Sequence, residues 1–173
     1  AKKIIGMDVY EQKNIDHAII DTDNTKTKSR YGANTILGIS MAVARAAADS
    51  KKIPLYKHLN PEARLLPIPF CNIINGGKHA GGKLEMQEFM IAPIKAKNFR
   101  EAAQMSSEIY HTLKKLIKEK YGTSAANVGD EGGFAPNIDK AEDALALIKK
   151  AIDSSGYNGK VKIAMDPAAS EFY

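Results

Sequence analysis

Several residue types that mark specialised protein classes are scarce in this chain of 173 residues. Tryptophan is absent, and cysteine occurs once, as Cys71, so no internal disulfide can form. No apolar run approaches the roughly 18 to 20 residues that a membrane-spanning helix needs. The apolar stretch at the N-terminus is too short for a signal peptide. We therefore expect no membrane span and a reducing, cytoplasmic setting.

The excess of basic residues is small and dispersed. Lys and Arg number 25 and Asp and Glu number 20, which gives a net charge of +5. Most lysines alternate with apolar positions in helical patterns, as they do on solvent-facing helix surfaces. Aromatic residues, which stack on bases in many nucleic-acid binders, make up only 7%. We therefore expect no nucleic-acid partner.

The first third of the chain has the apolar periodicity of helices. Asp8 with Glu11 resembles a capping box before a first helix. An alanine-rich helix over Gly32–Ser50 carries a stripe of small residues, which predicts burial on more than one side. Pro54 is predicted to open a further short turn, Leu55–Leu59.

From about Asn60 the pattern predicts the order strand, strand, helix, helix, strand. Two apolar segments, around Ile73 and over Leu84–Ile91, should pair antiparallel because no helix separates them. The last helix is expected to begin at Asp139 as its N-cap. The final strand, Val161–Met165, is expected to lack a partner strand. This indicates that the chain is part of a larger protein or packs against missing segments.

Glu88 is the first of four candidate functional positions. Alternation places it on the same strand face as Met86 and Met90. A carboxylate between two methionines would be desolvated, which raises its pKa and suits acid–base chemistry. A glutamate that faces water from an edge strand explains the pattern equally well.

Two glycine-rich loops carry the next candidates. The loop Asn75–Gly82 holds His79 and suits either a mobile segment that admits an anionic ligand or a long hairpin connection. The loop Gly129–Asn137 presents the adjacent acids Asp130 and Glu131, which could face a cavity or be solvated in a helix-to-helix turn. The alternating acidic ligands of an EF-hand are missing, so this loop is not a calcium loop of that class.

The fourth candidate is Asp166, at the carboxyl end of the final strand. The carboxyl ends of strands carry the active-site groups of α/β barrels, and a carboxylate there suits Mg²⁺. An aspartate at a strand end is more commonly a turn former or a helix N-cap, and this alternative stays open on turn chemistry alone.

Five segments of the chain resemble sequence blocks of the enolases and occur in that family's order. They are Ser29–Gly38, Pro69–Gly82, Gln87–Pro93, Val128–Asn137 and Asp166–Tyr173. The resemblance implies an α/β fold. Residues 1–60 would be the helical part of an α+β N-terminal domain, and residues 61–173 would be the incomplete beginning of an αβ-barrel with the order β-β-α-α-β.

The resemblance also implies an activity, because enolases are cytoplasmic lyases of glycolysis. They interconvert 2-phosphoglycerate and phosphoenolpyruvate with Mg²⁺, and they commonly form homodimers. By motif, Glu131 and Glu88 would be the catalytic acids. His79, Glu88 and Gln87 would contact the phosphorylated substrate, and Asp166 would be one ligand of Mg²⁺. Glu131 would need to keep its proton near neutral pH, which a like charge on Glu88 could ensure.

The chain also departs from the family pattern. It ends at Tyr173, before the family's base lysine and its other two metal carboxylates, so these 173 residues are expected to be inactive alone. Pro167 stands where the family usually has a small or apolar residue, and it holds Asp166 extended. An alternative is a non-catalytic, enolase-derived module that binds other proteins through its basic helices.

Overall fold

The computed structural model describes residues 2–129 and 131–172. They divide into two compact units, Ala1–Leu65 and Leu66–Tyr173. Asp130, one of the two adjacent acids singled out from the sequence, lies outside the described residues. No helix in the described ranges is both long and apolar enough to cross a membrane.

The first unit contains the helices α1 (Gln12–Asp23), α2 (Ala33–Ser50) and α3 (Leu55–Leu59). Helices α1 and α2 share a small buried cluster formed by Ile15 and Ile19 from α1 and Ile36 from α2. The predicted helices are therefore confirmed, because apolar residues at three- and four-residue steps need a common partner surface.

Two details of this unit differ from expectation. Asp8 accepts a hydrogen bond from the Tyr10 amide (2.9 Å), and α1 begins after Glu11 without a side-chain cap, so the predicted capping box is wrong. The side chains of Leu37 and Met41 on α2 are exposed, although burial on more than one side was predicted. The helices that contact α2 in the described residues, α1 and α3, leave this face uncovered.

The second unit combines a three-stranded antiparallel sheet with two long helices. The strands β1 (Cys71–Asn75), β2 (Glu88–Ala92) and β3 (Lys162–Asp166) lie in the order β1-β2-β3. Helices α4 (Phe99–Tyr121) and α5 (Ala141–Ser154) stand between β2 and β3 in the chain. The observed order confirms the predicted β-β-α-α-β arrangement and the α/β fold class.

One hydrophobic cluster joins the sheet to α4 and α5. Its fully buried members are the following: Ile74, Phe89, Ile91, Ile109, Leu113, Ile117, Phe134, Ala144, Ile148 and Ala151. Burying a large apolar side chain contributes about 1.5–3 kcal/mol. This cluster is therefore the main source of stability for the second unit.

Short 3₁₀ turns complete the second unit. They span Gly77–His79, Thr123–Ala126 and Ala169–Phe172.

Three expectations for this unit are corrected. Strand β3 is not unpartnered, because it pairs with β2 along its whole length. Helix α5 begins at Ala141 without a side-chain cap, and Asp139 instead lies 3.7 Å from Lys83 Nζ. Strand β2 begins later than Leu84, because the carbonyls of Leu84 and Gln87 accept hydrogen bonds from the glycine-rich loop rather than from β1.

A buried carboxylate organises the loop between α1 and α2. Asp23 is 1% exposed, and it accepts hydrogen bonds from the amides of Thr25 (3.2 Å) and Tyr31 (2.7 Å) and from the Thr25 hydroxyl. Burial alone would raise the pKa of Asp23, but the hydrogen bonds from Thr25 and Tyr31 outweigh it and lower the pKa. The ionised form therefore stabilises the loop.

We expect Asp23→Asn to lower the thermal midpoint of the first unit at pH 7 by on the order of 5 °C, because the amide is a weaker acceptor for these donors. The folded pKa lies below the unfolded value, so this stabilisation is present above pH 4 and is lost as the pH falls through the folded pKa. Far-UV circular dichroism melts at pH 7 and pH 3 measure both effects. The control Asp21→Asn, on the exposed side of α1, should leave the midpoint unchanged; equal effects of the two variants would contradict the assignment.

Candidate active site

Strand pairing places three polar residues in one row. Asn75 lies opposite Glu88, and Glu88 lies opposite Asp166. The carboxyl ends of β1 and β3 therefore meet the amino end of β2 at one edge of the sheet. The next residue of β2, Phe89, is fully buried, so alternation turns Glu88 towards the other face.

Two backbone hydrogen bonds bring the loop of Glu131 to this row. The Phe134 amide donates to Ile73 O (2.9 Å), and the Asn75 amide donates to Phe134 O (2.8 Å). Phe134 thus forms a short parallel bridge with Ile74 of β1. This attachment places Glu131 beside the carboxyl end of β1, although Glu131 and Asn72 of β1 are 59 residues apart in the sequence.

Helix α4 holds the same loop from the other side. The Tyr110 hydroxyl donates to Gly132 O (2.6 Å), and its ring stacks on Phe134 with 4.3 Å between centroids. Such aromatic pairs contribute about 0.5–1.5 kcal/mol beyond their area burial. The position of Glu131 therefore depends on the packed core.

The loop needs glycine on both sides of Glu131. A Cβ atom at Gly129 would lie 2.3 Å from Asn75 Nδ2 and 2.6 Å from His79 O. At Gly133 it would lie 2.3 Å from Asn75 Oδ1. The side chain of Asn75 thus lies against both glycines, and any larger residue would push the loop away.

His79 approaches the two glutamates from the glycine-rich loop. Its Nδ1 atom is 3.8 Å from Glu131 Oε2 and 4.0 Å from Glu88 Oε1. The 3₁₀ turn that carries His79 is anchored by hydrogen bonds from Gly77 N to Leu84 O (2.6 Å) and from Gly76 N to Gln87 O (2.8 Å). An ion pair between Lys78 and Glu171 joins the same turn to the segment after β3.

The surroundings of the two glutamates shift their pKa values in opposite directions. Burial raises the pKa of Glu88, and the hydrogen bond to Glu131 and its negative charge raise it further. The hydrogen bond from Asn72 Nδ2 (3.1 Å) and the one from Glu88 lower the pKa of Glu131. The pKa of Glu131 is thus lowered, whereas the role expected from the sequence required a raised one, and it is the pKa of Glu88 that is raised.

Asp166 and Gln87 lie near this group but outside it. Asp166 is exposed, and its Oδ1 accepts a hydrogen bond from the Ala168 amide (2.9 Å), so it forms the turn that the alternative interpretation anticipated. Its other oxygen is left for a ligand. Gln87 is half-buried, and its backbone carbonyl anchors the glycine-rich loop.

Asn72, Asn75 and Tyr110 belong to the site but were not predicted from the sequence as functional residues. Asn75 is 1% exposed, and neither polar atom of its side chain has a hydrogen-bond partner among the described residues. The sequence signal was the pair of asparagines three residues apart in an otherwise apolar strand. Tyr110 gave no comparable signal, since it lies on a helix with ordinary periodicity.

The oxygen of Asp166 suits Mg²⁺, which prefers carboxylate ligands and retains several waters. A single exposed carboxylate fits as one ligand of such a site. The group of His79, Glu88 and Glu131 includes an imidazole nitrogen, which fits Mg²⁺ poorly. The two locations therefore differ in donor chemistry.

Family models match nearly the whole chain. Residues 63–173 match the model described as "Enolase, C-terminal TIM barrel domain". Residues 1–59 match the model described as "Enolase, N-terminal domain". The two matches meet close to the boundary between the two compact units.

We expect Gly129→Ala to destabilise the second unit by about 1–3 kcal/mol, because the added methyl group overlaps Asn75 and the carbonyl of His79. Urea unfolding followed by circular dichroism measures the loss. Gly82→Ala is the matched control, because a Cβ there meets nothing within 4 Å. A stability of Gly129→Ala equal to that of the control would contradict the described packing.

We expect Asn72→Ala to raise the pKa of Glu131, because it removes the hydrogen bond that contributes most to the lowered value. A ¹³C NMR titration of the glutamate carboxyl groups measures the change. Gln104→Ala serves as control, because it removes a donor to Glu108 (2.8 Å) and should raise the pKa of Glu108 alone. An unchanged Glu131 titration in Asn72→Ala would overturn the assignment.

Proposed function

The chain belongs to the enolase family, and we propose that it is part of a lyase that interconverts 2-phosphoglycerate and phosphoenolpyruvate with Mg²⁺. The convergence of His79, Glu88 and Glu131 from three separate segments supports this proposal most directly. Dehydration of a phosphorylated hydroxy acid requires a proton for the departing hydroxyl and cations for the negative charge that develops. The site offers groups for both tasks.

In this proposal the two glutamates deliver the proton together. Glu88 has a side chain that is 16% exposed and a raised pKa, so it is the proposed store of the proton. Glu131, which is 45% exposed, is the member that reaches the departing hydroxyl. The single proton of the pair passes from Glu88 to Glu131 and on to the leaving oxygen. The carbon–oxygen bond breaks, water departs and both carboxylates are left ionised.

His79 and Gln87 are the proposed contacts to the substrate in this chain. A histidine on a glycine-rich turn can donate a hydrogen bond to a phosphoryl or carboxylate oxygen while its backbone stays anchored. The neighbouring Lys78 pairs with Glu171, which positions the turn over the row of strand ends. Gln87 lies just before β2, against Gly77 of the glycine-rich turn, and would line the site from there.

Asp166 is the proposed ligand that this chain contributes to Mg²⁺. When bound, Mg²⁺ would stabilise the charge that builds up on the substrate carboxylate after proton removal. The role of Asp166 is to hold one oxygen towards the ion from the end of β3. The turn to Ala168 fixes its side chain and leaves the other oxygen available.

We also propose the larger context of the chain. Residues 1–60 would belong to the N-terminal domain and residues 61–173 to the catalytic barrel. The whole protein would act as a cytoplasmic homodimer in glycolysis. Family membership supports these assignments.

The 173-residue chain by itself should show no Mg²⁺-dependent turnover and only weak Mg²⁺ binding, because one carboxylate is a poor magnesium site. Absorbance of phosphoenolpyruvate measures the first, and calorimetry with Mg²⁺ measures the second. With this segment placed in a complete enolase barrel, Glu131→Gln and Glu88→Gln should each lower kcat by about 10²- to 10⁴-fold.

Glu85→Gln is the control in the complete barrel, since Glu85 is exposed and three residues from Glu88. It should leave kcat unchanged. Full activity of Glu131→Gln would contradict the proposed proton delivery, and turnover by the 173-residue chain alone would contradict the need for further residues.

A further inference from the structure

Helix α4 contacts the turn that carries Glu131 at two points, and both contacts come from Tyr110. The ring of Tyr110 stacks on Phe134 with 4.3 Å between centroids and 20° between the ring planes. Its hydroxyl donates a hydrogen bond to Gly132 O at 2.6 Å. The first contact belongs to the core, because Phe134 is fully buried, whereas the second holds the residue that directly follows Glu131. Removal of the hydroxyl alone therefore separates the two contacts.

The turn has few other attachments at its tip. Its backbone bonds stay inside it, because Gly129 N donates to Gly133 O (2.8 Å) and Gly132 N donates to Gly129 O (3.0 Å). In the part of the chain that the structure describes, the bond from Tyr110 is the one that ties the backbone of residues 129 and 131–133 to another element. A Cβ atom at Gly132 would meet nothing within 4 Å, so packing does not fix this peptide. Its orientation thus depends on the Tyr110 hydroxyl.

The donor keeps its proton and is rigidly held. Burial raises the pKa of Tyr110 above that of an exposed tyrosine, so the hydroxyl is protonated at neutral pH. Its neighbours on α4, Ile109 and Leu113, are fully buried in the main hydrophobic cluster. The helix cannot shift without disturbing that cluster, so Tyr110 presents its hydroxyl at a fixed position.

Glu131 needs such a fixed support. Its side chain is 45% exposed, and it extends from a glycine-rich turn whose backbone has wide conformational freedom. It must nevertheless stay within reach of the amide of Asn72, which donates to its Oε2 (3.1 Å), and of the carboxyl group of Glu88. A displacement of a reacting group by about 1 Å can lower a rate by roughly 100-fold.

We propose that Tyr110 is a positioning residue for Glu131. Its hydroxyl holds the carbonyl of Gly132 and thereby keeps the Glu131 carboxyl group within reach of both Asn72 and Glu88. The effect on the reaction rests on the proposed function, whereas the effect on the position of Glu131 does not.

NMR of the 173-residue chain tests the position of Glu131 directly. Tyr110→Phe keeps the ring and removes the hydroxyl. It should move the side-chain amide resonances of Asn72 towards those seen in Glu131→Ala, because their acceptor withdraws. Tyr157→Phe is the matched control, since it also removes a hydroxyl bond to α4, at Glu108 Oε2 (2.5 Å), and it should leave these resonances in place. Unmoved Asn72 resonances in Tyr110→Phe, or equal movement in both variants, would overturn the proposal.

Kinetics of a complete enolase barrel that contains this segment test the consequence. Tyr110→Phe should lower kcat by about 10- to 100-fold and change KM by less than about twofold. In a Glu131→Gln background it should cause no further loss, because the hydroxyl acts through Glu131. Tyr157→Phe should leave kcat unchanged in either background.

Full kcat in Tyr110→Phe, or an equal loss in both backgrounds, would refute the positioning role. A Tyr110→Phe variant that is unfolded at room temperature would refute it as well, because the hydroxyl would then be a structural group. Failure of the proposed function gives a different result: the complete, unmodified barrel would not convert 2-phosphoglycerate, and the NMR comparison would still decide whether Tyr110 positions Glu131.

Discussion

The candidate site depends on two backbone hydrogen bonds between Phe134 and strand β1. They extend the sheet edge by one bridge and carry Glu131 to the ends of the strands, where Glu88 already lies. Because Phe134 is fully buried and stacks on Tyr110, the bridge is part of the hydrophobic core. Packing in the core thus determines the position of the half-exposed carboxylate of Glu131.

The second constraint is electrostatic. Burial and the nearby carboxylate of Glu131 both raise the pKa of Glu88, because two ionised carboxylates in contact repel each other. Asn72 makes the pair asymmetric, because its amide donates to Glu131 and lowers the pKa of that carboxyl group.

Much of the fold could be predicted because it rests on local patterns. The stripes of α4 and α5, the antiparallel β1–β2 pair and the α/β class follow from periodicity and from the absence of a helix between the first two strands. Both predicted helix caps were wrong. Asp8 and Asp139 have the right residue types for caps, but nearby groups, the Tyr10 amide and Lys83, engage them instead.

The site was predictable in its members more than in its chemistry. His79, Glu88, Glu131 and Asp166 were identified from glycine-rich loops, strand alternation and the resemblance to enolases. The expected role of Glu131 required a raised pKa, whereas the hydrogen bond from Asn72 lowers it. Neither the partner of a side chain nor its exposure can be read from spacing along the chain.

By itself, the sequence determined the order of the elements, the candidate acids and the family, because these reside in residue types and short spacings. Only the tertiary structure decided that β3 pairs with β2, that His79, Glu88 and Glu131 converge, and that the pKa values of the two glutamates shift in opposite directions. The physical reason is that pairing, distance and desolvation arise between segments far apart in the chain.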